Sequence, residues 1–180
     1  MKKEIFQKIG IPEGIEAEIE GNEIRLRSEG NEIRKKFAVN KVSLEKKGGE
    51  IIVGSKKASK KEKKMINTIA AHIKNMVGGL QNEFEYKLKV CSTHFPISTE
   101  IKGNEVIIKN FLGEKTPRKS KILQGVKVKI EKDVITVSSH DKESAGQTAS
   151  NLEKATWIRL RDRRIFQDGI FITSKAGKQI

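Results

Sequence analysis

Two stretches, "EIEGNEIRLRSEG" at residues 18–30 and "EIKGNEVIIKNFLG" at residues 100–113, carry one pattern, and its repetition decides the fold. In each, Glu-Ile precedes a Gly-Asn pair, and apolar and polar residues alternate on both sides. Period-two alternation marks a half-buried strand, and Gly-Asn between two such runs marks a tight hairpin turn. Glu18 and Glu100, Gly21 and Gly103, and Asn22 and Asn104 each lie 82 residues apart. Further on, "VSLEKKGGEIIV" at 42–53 matches "VKVKIEKDVITV" at 126–137, now at an offset of 84. An insertion of two residues must therefore lie between the matched blocks of the second copy.

A helical pattern follows each second hairpin. Ile66, Ile69, Ala70, Ile73, Val77 and Leu80 recur at helical spacing. Ser59 and Glu62 form a capping-box signature ahead of them, and Gly78-Gly79 offers a stop. In the second half Ser144 and Gln147 form the same signature before "TASNLEKATWIRL", with the weaker stripe Ala149, Leu152 and Ala155. The expected fold is therefore α+β: two tandem duplicated domains, each an antiparallel sheet packed against one helix. The boundary falls between Gly79 and Asn82, giving domains 1–81 and 82–180.

Charge narrows the partner. The chain has 37 Lys and Arg against 23 acids and a net charge of +14. That balance points to a polyanion, nucleic acid before anionic membrane. No run of apolar residues is long enough to span a bilayer. The amino-terminal "MKKEIFQKIG" lacks the apolar core of a signal peptide, and a single cysteine suits a reducing cytoplasm.

The two halves carry equal net charge but arrange it differently. Residues 56–64, "KKASKKEKK", hold six Lys and one Glu, and read as a solvated helix start. Residues 109–122 and 154–164 hold five Lys or Arg and one acid each. Here Arg is mixed with Gly and apolar residues. Arg presents a planar five-donor fork suited to phosphate and base edges, whereas Lys presents a point charge. Gly113 and Gly169 allow close backbone approach. Phe111 and Phe166 either meet ribose or base, or pack under their own loops; for a lone Phe the core reading is the economical one.

At these residues the chain resembles a known family. "HFPI" at 94–97, "KNFLGEKTPRK" at 109–119, "AGQTASN" at 145–151 and "RDRRIFQDGIF" at 161–171 are similar, in order and spacing, to the archaeal and eukaryotic branch of large-subunit ribosomal protein six. The Gly146, Gln147, Ala149, Asn151 pattern is shared with the bacterial branch. The resemblance implies two α/β domains of common ancestry, no catalytic activity and no cofactor. It implies binding to large-subunit rRNA through the carboxy-terminal domain, near the sarcin-ricin loop and the docking region of translational GTPases, among neighbouring ribosomal proteins in the cytoplasm. It carries Lys109, Asn110, Phe111, Gly113, Pro117, Arg118 and Lys119 into the interface from the loop. From the tail it carries Arg161, Arg163, Arg164, Gln167, Asp168 and Gly169. Lys115, Lys121 and Arg159 complete the two clusters. The lysine-only run at 56–64 lies where the family varies.

Other chemistries find little support. Cys91 and His94 are spaced C-x-x-H, but zinc needs about four ligands and no second pair exists. Strand alternation sends the two to opposite faces, against a nucleophile–base pair. No phosphate-binding glycine motif occurs. The remaining alternatives are a free-standing RNA chaperone or non-specific nucleic-acid binder, which needs no fixed site, and a membrane-surface binder, which needs a basic amphipathic helix with a spare apolar face.

Overall fold

The computed structural model describes residues 3–28, 30–38 and 41–180. Met1 and Lys2 of the amino-terminal lysine pair and Glu29 of the Ser-Glu-Gly-Asn turn lie outside them. The chain divides into two compact units, Met1–Asn82 and Glu83–Ile180.

The first unit runs β1 (Lys3–Gly10), β2 (Glu16–Glu20), β3 (Glu23–Ser28), β4 (Asn31–Lys36), β5 (Ser43–Lys47), β6 (Glu50–Ala58) and α1 (Lys60–Gln81). The second runs β7 (Phe84–Cys91), β8 (Ser98–Lys102), β9 (Glu105–Lys109), β10 (Arg118–Lys121), β11 (Lys127–Glu131), β12 (Val134–Ser139), α2 (Lys142–Ala155), β13 (Gly169–Lys175) and β14 (Lys178–Gln179). All strand pairs are antiparallel. The α+β class holds. Each unit divides its strands into two sheets, however, where the alternation alone suggested one. The first unit has β1-β6-β5 and β2-β3-β4; the second has β11-β12-β7-β13-β14 and β10-β9-β8.

The repeat is exact in register. Adding 82 to the bounds of β2 gives β8, and adding 84 to those of β5 gives β11. Gly21 and Gly103 open the equivalent two-residue turns with φ of 60° and 58°. Positive φ at that position is what a type II′ hairpin asks of glycine.

Pairing also locates the insertion. Leu26 faces Ile33 across β3–β4, and Ile108 faces Arg118 across β9–β10. Six residues separate the first pair and nine the second. One residue is lost again between β10 and β11, so the net difference is two. The added residues thus enlarge the hairpin tip that carries "NFLGEKTP".

Both helices cover their sheets. Helix α1 begins at Ser59, whose side chain accepts from Lys61 N–H while Glu62 accepts from the Ser59 N–H. It buries Ile66, Ile69, Ala70, Ile73, Val77 and Leu80, joined by Met76. It runs through Gly78 and Gly79 and stops only at Gln81. Gly79 is buried in the packed face, so tertiary contact overrides its poor propensity. Helix α2 starts three residues earlier than the Ser144 signature suggests. Asp141 is the cap, accepting from the N–H groups of Glu143 and Ser144, and Ser144 sits inside the first turn. It ends at Ala155, so Trp157 to Leu160 are not helical. Its buried residues, Ala145, Thr148, Ala149 and Leu152, are mostly small, which brings the helix close to β7. At Gly146 a Cβ would stand 3.1 Å from the Tyr86 hydroxyl. The Gly-Gln-x-Ala-x-Asn pattern is thereby a packing device. Its Gln147 and Asn151 bond to each other one turn apart at 2.8 Å.

Strand β13 has no counterpart among the described residues of the first unit. It pairs with β7 from Gly169 to Lys175 and buries Ile170 in the core.

Candidate nucleic-acid interface

The enlarged tip of the β9–β10 hairpin is held in an unusual backbone. Asn110, Leu112 and Gly113 all have positive φ, at 58°, 50° and 75°. Such residues persist only where their surroundings over-determine them, and they cluster at functional sites. The surroundings are visible. The Asn110 amide donates to the Pro96 carbonyl at 3.0 Å, and Glu114 N–H donates to Phe111 O at 3.0 Å. Phe111 is 1% exposed, so it is the keystone under the loop and not a surface wedge.

Above Phe111 lies Arg118, its guanidinium 4.3 Å from the ring centroid. Its Nε and Nη2 donate to the two oxygens of Glu114 at 2.8 and 2.5 Å. Its Nη1 donates to the carbonyls of Ala155 at 2.9 Å and Trp157 at 3.3 Å. The Ala155 carbonyl belongs to the last turn of α2, where carbonyls lack helical partners and a cation is favoured. Arg118 therefore ties the hairpin tip to the end of α2. The bond from Arg118 keeps the Glu114 carboxyl below its ordinary range against the opposing effect of burial.

The segment after α2 is built around rings and one carboxylate. Thr156 Oγ1 accepts from the Ile170 N–H at 2.9 Å, fixing the entry of β13 to the helix end. Asp162 accepts from the Arg164 N–H and holds its guanidinium, with Nη2 to Oδ2 at 2.7 Å. Arg161 lies 4.9 Å over Phe166, which in turn stacks on His94 at 5.0 Å. Asp168 is 1% exposed and accepts from Thr93 N–H at 2.6 Å, His94 N–H at 3.0 Å and His94 Nδ1 at 2.6 Å. Burial raises its pKa, but the His94 and Thr93 bonds outweigh that and hold it below the ordinary aspartate range.

The structure sorts the sequence-derived residues into two groups. Lys115, Pro117, Lys119, Lys121, Arg159, Arg161, Arg163, Arg164 and Gln167 are exposed. Asn110 and Gly113 are exposed at the tip, while Lys109 is half-buried and paired with Glu100 at 2.8 Å. Phe111, Asp168 and Gly169 are buried, because each is consumed in packing or hydrogen bonds of its own loops. Their side chains shape the surface and do not form it. Cys91 ends β7 opposite Gly169, while His94 is spent on Asp168. Among the described residues, no group of three or more His, Cys, Asp or Glu could hold a metal ion.

Both basic clusters meet in one cleft of about 470 Å³. Leu112, Glu114, Arg118 and Lys119 line it from the hairpin, Lys154 from the last turn of α2, and Trp157, Arg159 and Arg161 from the segment after it. Five cations face one carboxylate. Arg159, Arg161 and Arg163 make no ion pair among the described residues. The first unit contrasts with this. Arg25 pairs with Glu20 at 3.1 Å and Glu23 at 3.5 Å, and Arg27 with Glu32 at 3.3 Å. The sequence reading missed three exposed apolar residues threaded among the arginines: Trp157, Leu160 and Ile165. Their signal was present in "TWIRLRDRRI", but a helix continued through Trp157 gives them no assigned face.

A duplicated α+β scaffold presenting arginines, lysines and exposed apolar residues on one unit defines a basic binding protein. The family model for Ribosomal protein L6 matches residues 95–169. The chain is 41% identical over 174 residues to the Large ribosomal subunit protein uL6 of Methanococcus vannielii, covering 97% of this chain and 96% of that protein. It is 40% identical over 171 residues to the protein of that name from Methanobrevibacter smithii, covering 95% and 96%. With that of Methanothrix thermoacetophila the identity is 38% over 175 residues, covering 97% and 99%. The chain belongs to the ribosomal protein L6 family, whose members are structural ribosomal components and not enzymes.

Proposed function

We propose that this chain is a structural constituent of the large ribosomal subunit and that residues 82–180 form its rRNA-binding domain. The observation that carries the reading is the junction of two basic clusters across Arg118. Folded RNA presents phosphates, ribose hydroxyls and unstacked bases together, and this face offers cations and exposed apolar side chains together. Lys115, Lys119, Lys121, Arg159, Arg161 and Arg163 are the phosphate contacts in this reading, Gln167 and the Gly113 backbone approach closely, and Arg164 stands beside them held by Asp162. Lys109, Asn110, Phe111, Pro117, Arg118, Asp168 and Gly169 hold the two loops in shape. Phosphate contacts position a protein on its RNA, so selectivity comes from the shape of an RNA junction that both loops reach.

The four sequence motifs support a finer placement, near the sarcin-ricin loop and the docking region of translational GTPases, beside neighbouring ribosomal proteins in the cytoplasm. No helix of the described residues is long and apolar enough to cross a membrane. Crosslinking of the protein within ribosomal particles, mapped at nucleotide level, tests the placement: crosslinks from residues 110–121 and 157–167 should converge on the sarcin-ricin region. With ~6 phosphate contacts, affinity for that rRNA should fall by roughly 10³ between 50 and 200 mM salt. Equal affinity for a scrambled RNA of the same length would favour a non-specific chaperone.

A further inference from the structure

We infer that the cleft between Leu112 and Trp157 receives one unpaired nucleotide of an RNA strand, its base stacked on the Trp157 indole and its phosphate held by Arg159 and Arg161. The inference deepens the reading of this face as an RNA interface and rests on it.

Trp157 is 53% exposed, although an indole has much to gain from burial. Its exposure is not slack. The Trp157 backbone N–H donates to Lys154 O at 3.1 Å, its carbonyl accepts from Arg118, and Arg163 lies 5.7 Å over its ring. The ring is thus presented on a backbone fixed from two elements, which lowers the cost of ordering on binding. Leu160, three residues on, is fully exposed with φ of 58°. An apolar residue held in that strained conformation, out in solvent, gains nothing from the packing of its own unit.

The cleft's volume of about 470 Å³ falls within the roughly 300–1,000 Å³ of pockets that take a small ligand. Its charge suits a phosphodiester, since Glu114 is already consumed by Arg118, and Arg159 and Arg161 make no ion pair among the described residues. A flat aromatic wall beside guanidinium groups is the recognised arrangement for a splayed base and its phosphate. Paired RNA hides its base faces and cannot use that wall. An acidic peptide would use the cations but has no need of the ring.

Trp157 is the sole tryptophan of the chain, so its fluorescence reports on this cleft alone. The full-length protein would be titrated with an eight-nucleotide oligoadenylate, with an eight-base-pair RNA duplex and with oligoglutamate. Binding is followed by anisotropy of labelled ligand and stacking by fluorescence of Trp157 with unlabelled ligand. The single strand should bind with quenching, and the duplex should bind with little. Trp157→Leu should weaken single-strand binding roughly tenfold, the scale of one base–aromatic stack. Duplex binding should stay within about twofold, and Trp157→Phe should restore most of the loss. Binding of the single strand without quenching, equal quenching by the duplex, or quenching by oligoglutamate would each overturn the inference while leaving RNA binding standing. Binding of neither RNA would overturn the RNA interface itself, and this inference with it.

Discussion

Arg118 lies in the cationic loop, yet its geometry predicts that its loss will be felt in stability before RNA affinity. Four of its five N–H donors are already used, two on Glu114 and one each on the Ala155 and Trp157 carbonyls. In Arg118→Ala, the Glu114 pair contributes little, about 0.3–0.5 kcal/mol for a partly exposed i,i+4 ion pair. The two bonds from a charged donor to carbonyls are worth about 1.5 kcal/mol each at the low end, reduced where water replaces them. The stack on Phe111 adds about 0.5–1 kcal/mol. The side chain is 29% exposed, so a total near 2–3 kcal/mol is expected. For a unit of this size that lowers the melting temperature by about 10 °C or more.

The control is Arg159→Ala. Arg159 is exposed and makes no ion pair among the described residues, so its removal should leave thermal unfolding unchanged. If it meets a phosphate, the slope of log affinity against log salt should shrink by roughly 0.7–0.9, one phosphate's worth. Calorimetric unfolding and rRNA-fragment binding across a salt series, run on both variants, separate the roles. The reasoning is refuted if Arg118→Ala melts with the wild type and loses a full phosphate's slope.

Three further outcomes are expected. Gly169 has φ of 153°, and a Cβ there would stand 3.2 Å from the Phe171 ring, so Gly169→Ala should cost about 1–3 kcal/mol in urea unfolding; a neutral result would show that β13 can shift freely. Asp168 titrates below the ordinary aspartate range in the folded chain, so its stabilisation is complete above the unfolded-state value and is lost as pH falls through the folded one; Asp168→Asn should cost about 2–3 kcal/mol at pH 7, with the difference narrowing in acid, and a gap of constant size down to about pH 2 would contradict an ionised carboxylate there. Fragment 83–180 should bind a sarcin-ricin rRNA fragment in preference to a scrambled one, and fragment 1–82 should not discriminate, provided both unfold cooperatively; equal discrimination by 1–82 would remove the carboxy-terminal anchor.

The repeat made most of the fold legible, because strand alternation and turn chemistry are local and appeared twice. Gly21 and Gly103 mark their turns in both copies. Legibility ended where the second copy departs from the first. Strand β13 has no partner in residues 1–82 against which to recognise it, and its pairing with β7 is a contact between residues about eighty positions apart. The division of each unit into two sheets is also non-local, since alternation assigns a buried face without saying which sheet it joins. In the site, residue types were legible and their roles were not. Phe111, Arg118 and Asp168 look like ligand contacts by type, but burial and donor count are three-dimensional facts. Trp157 and Leu160 were hidden by a helix pattern that Thr156 ends.

In the proposed reading, one scaffold separates into an uncommitted copy and a binding copy. Both have the same hairpins, and their net charges are equal. In the first, the strand arginines Arg25 and Arg27 are answered by Glu18, Glu20, Glu23 and Glu32. A guanidinium with such partners must lose them before it meets a phosphate, which costs about what it gains. In the second, three added residues widen one hairpin tip, and the chain between α2 and β13 supplies the opposing wall. The carboxylates that remain there, Glu114, Asp162 and Asp168, brace the loops from within or beside them and leave Arg159, Arg161 and Arg163 without an ion pair among the described residues. Net charge would therefore predict equal affinity for RNA, while the pairing pattern predicts that the second unit has arginines held ready in a fixed geometry and that the strand arginines of the first are engaged. That difference is what a comparison of salt slopes between the two fragments would measure: a steep slope without sequence preference for the lysines of 1–82, and a slope accompanied by discrimination for 83–180.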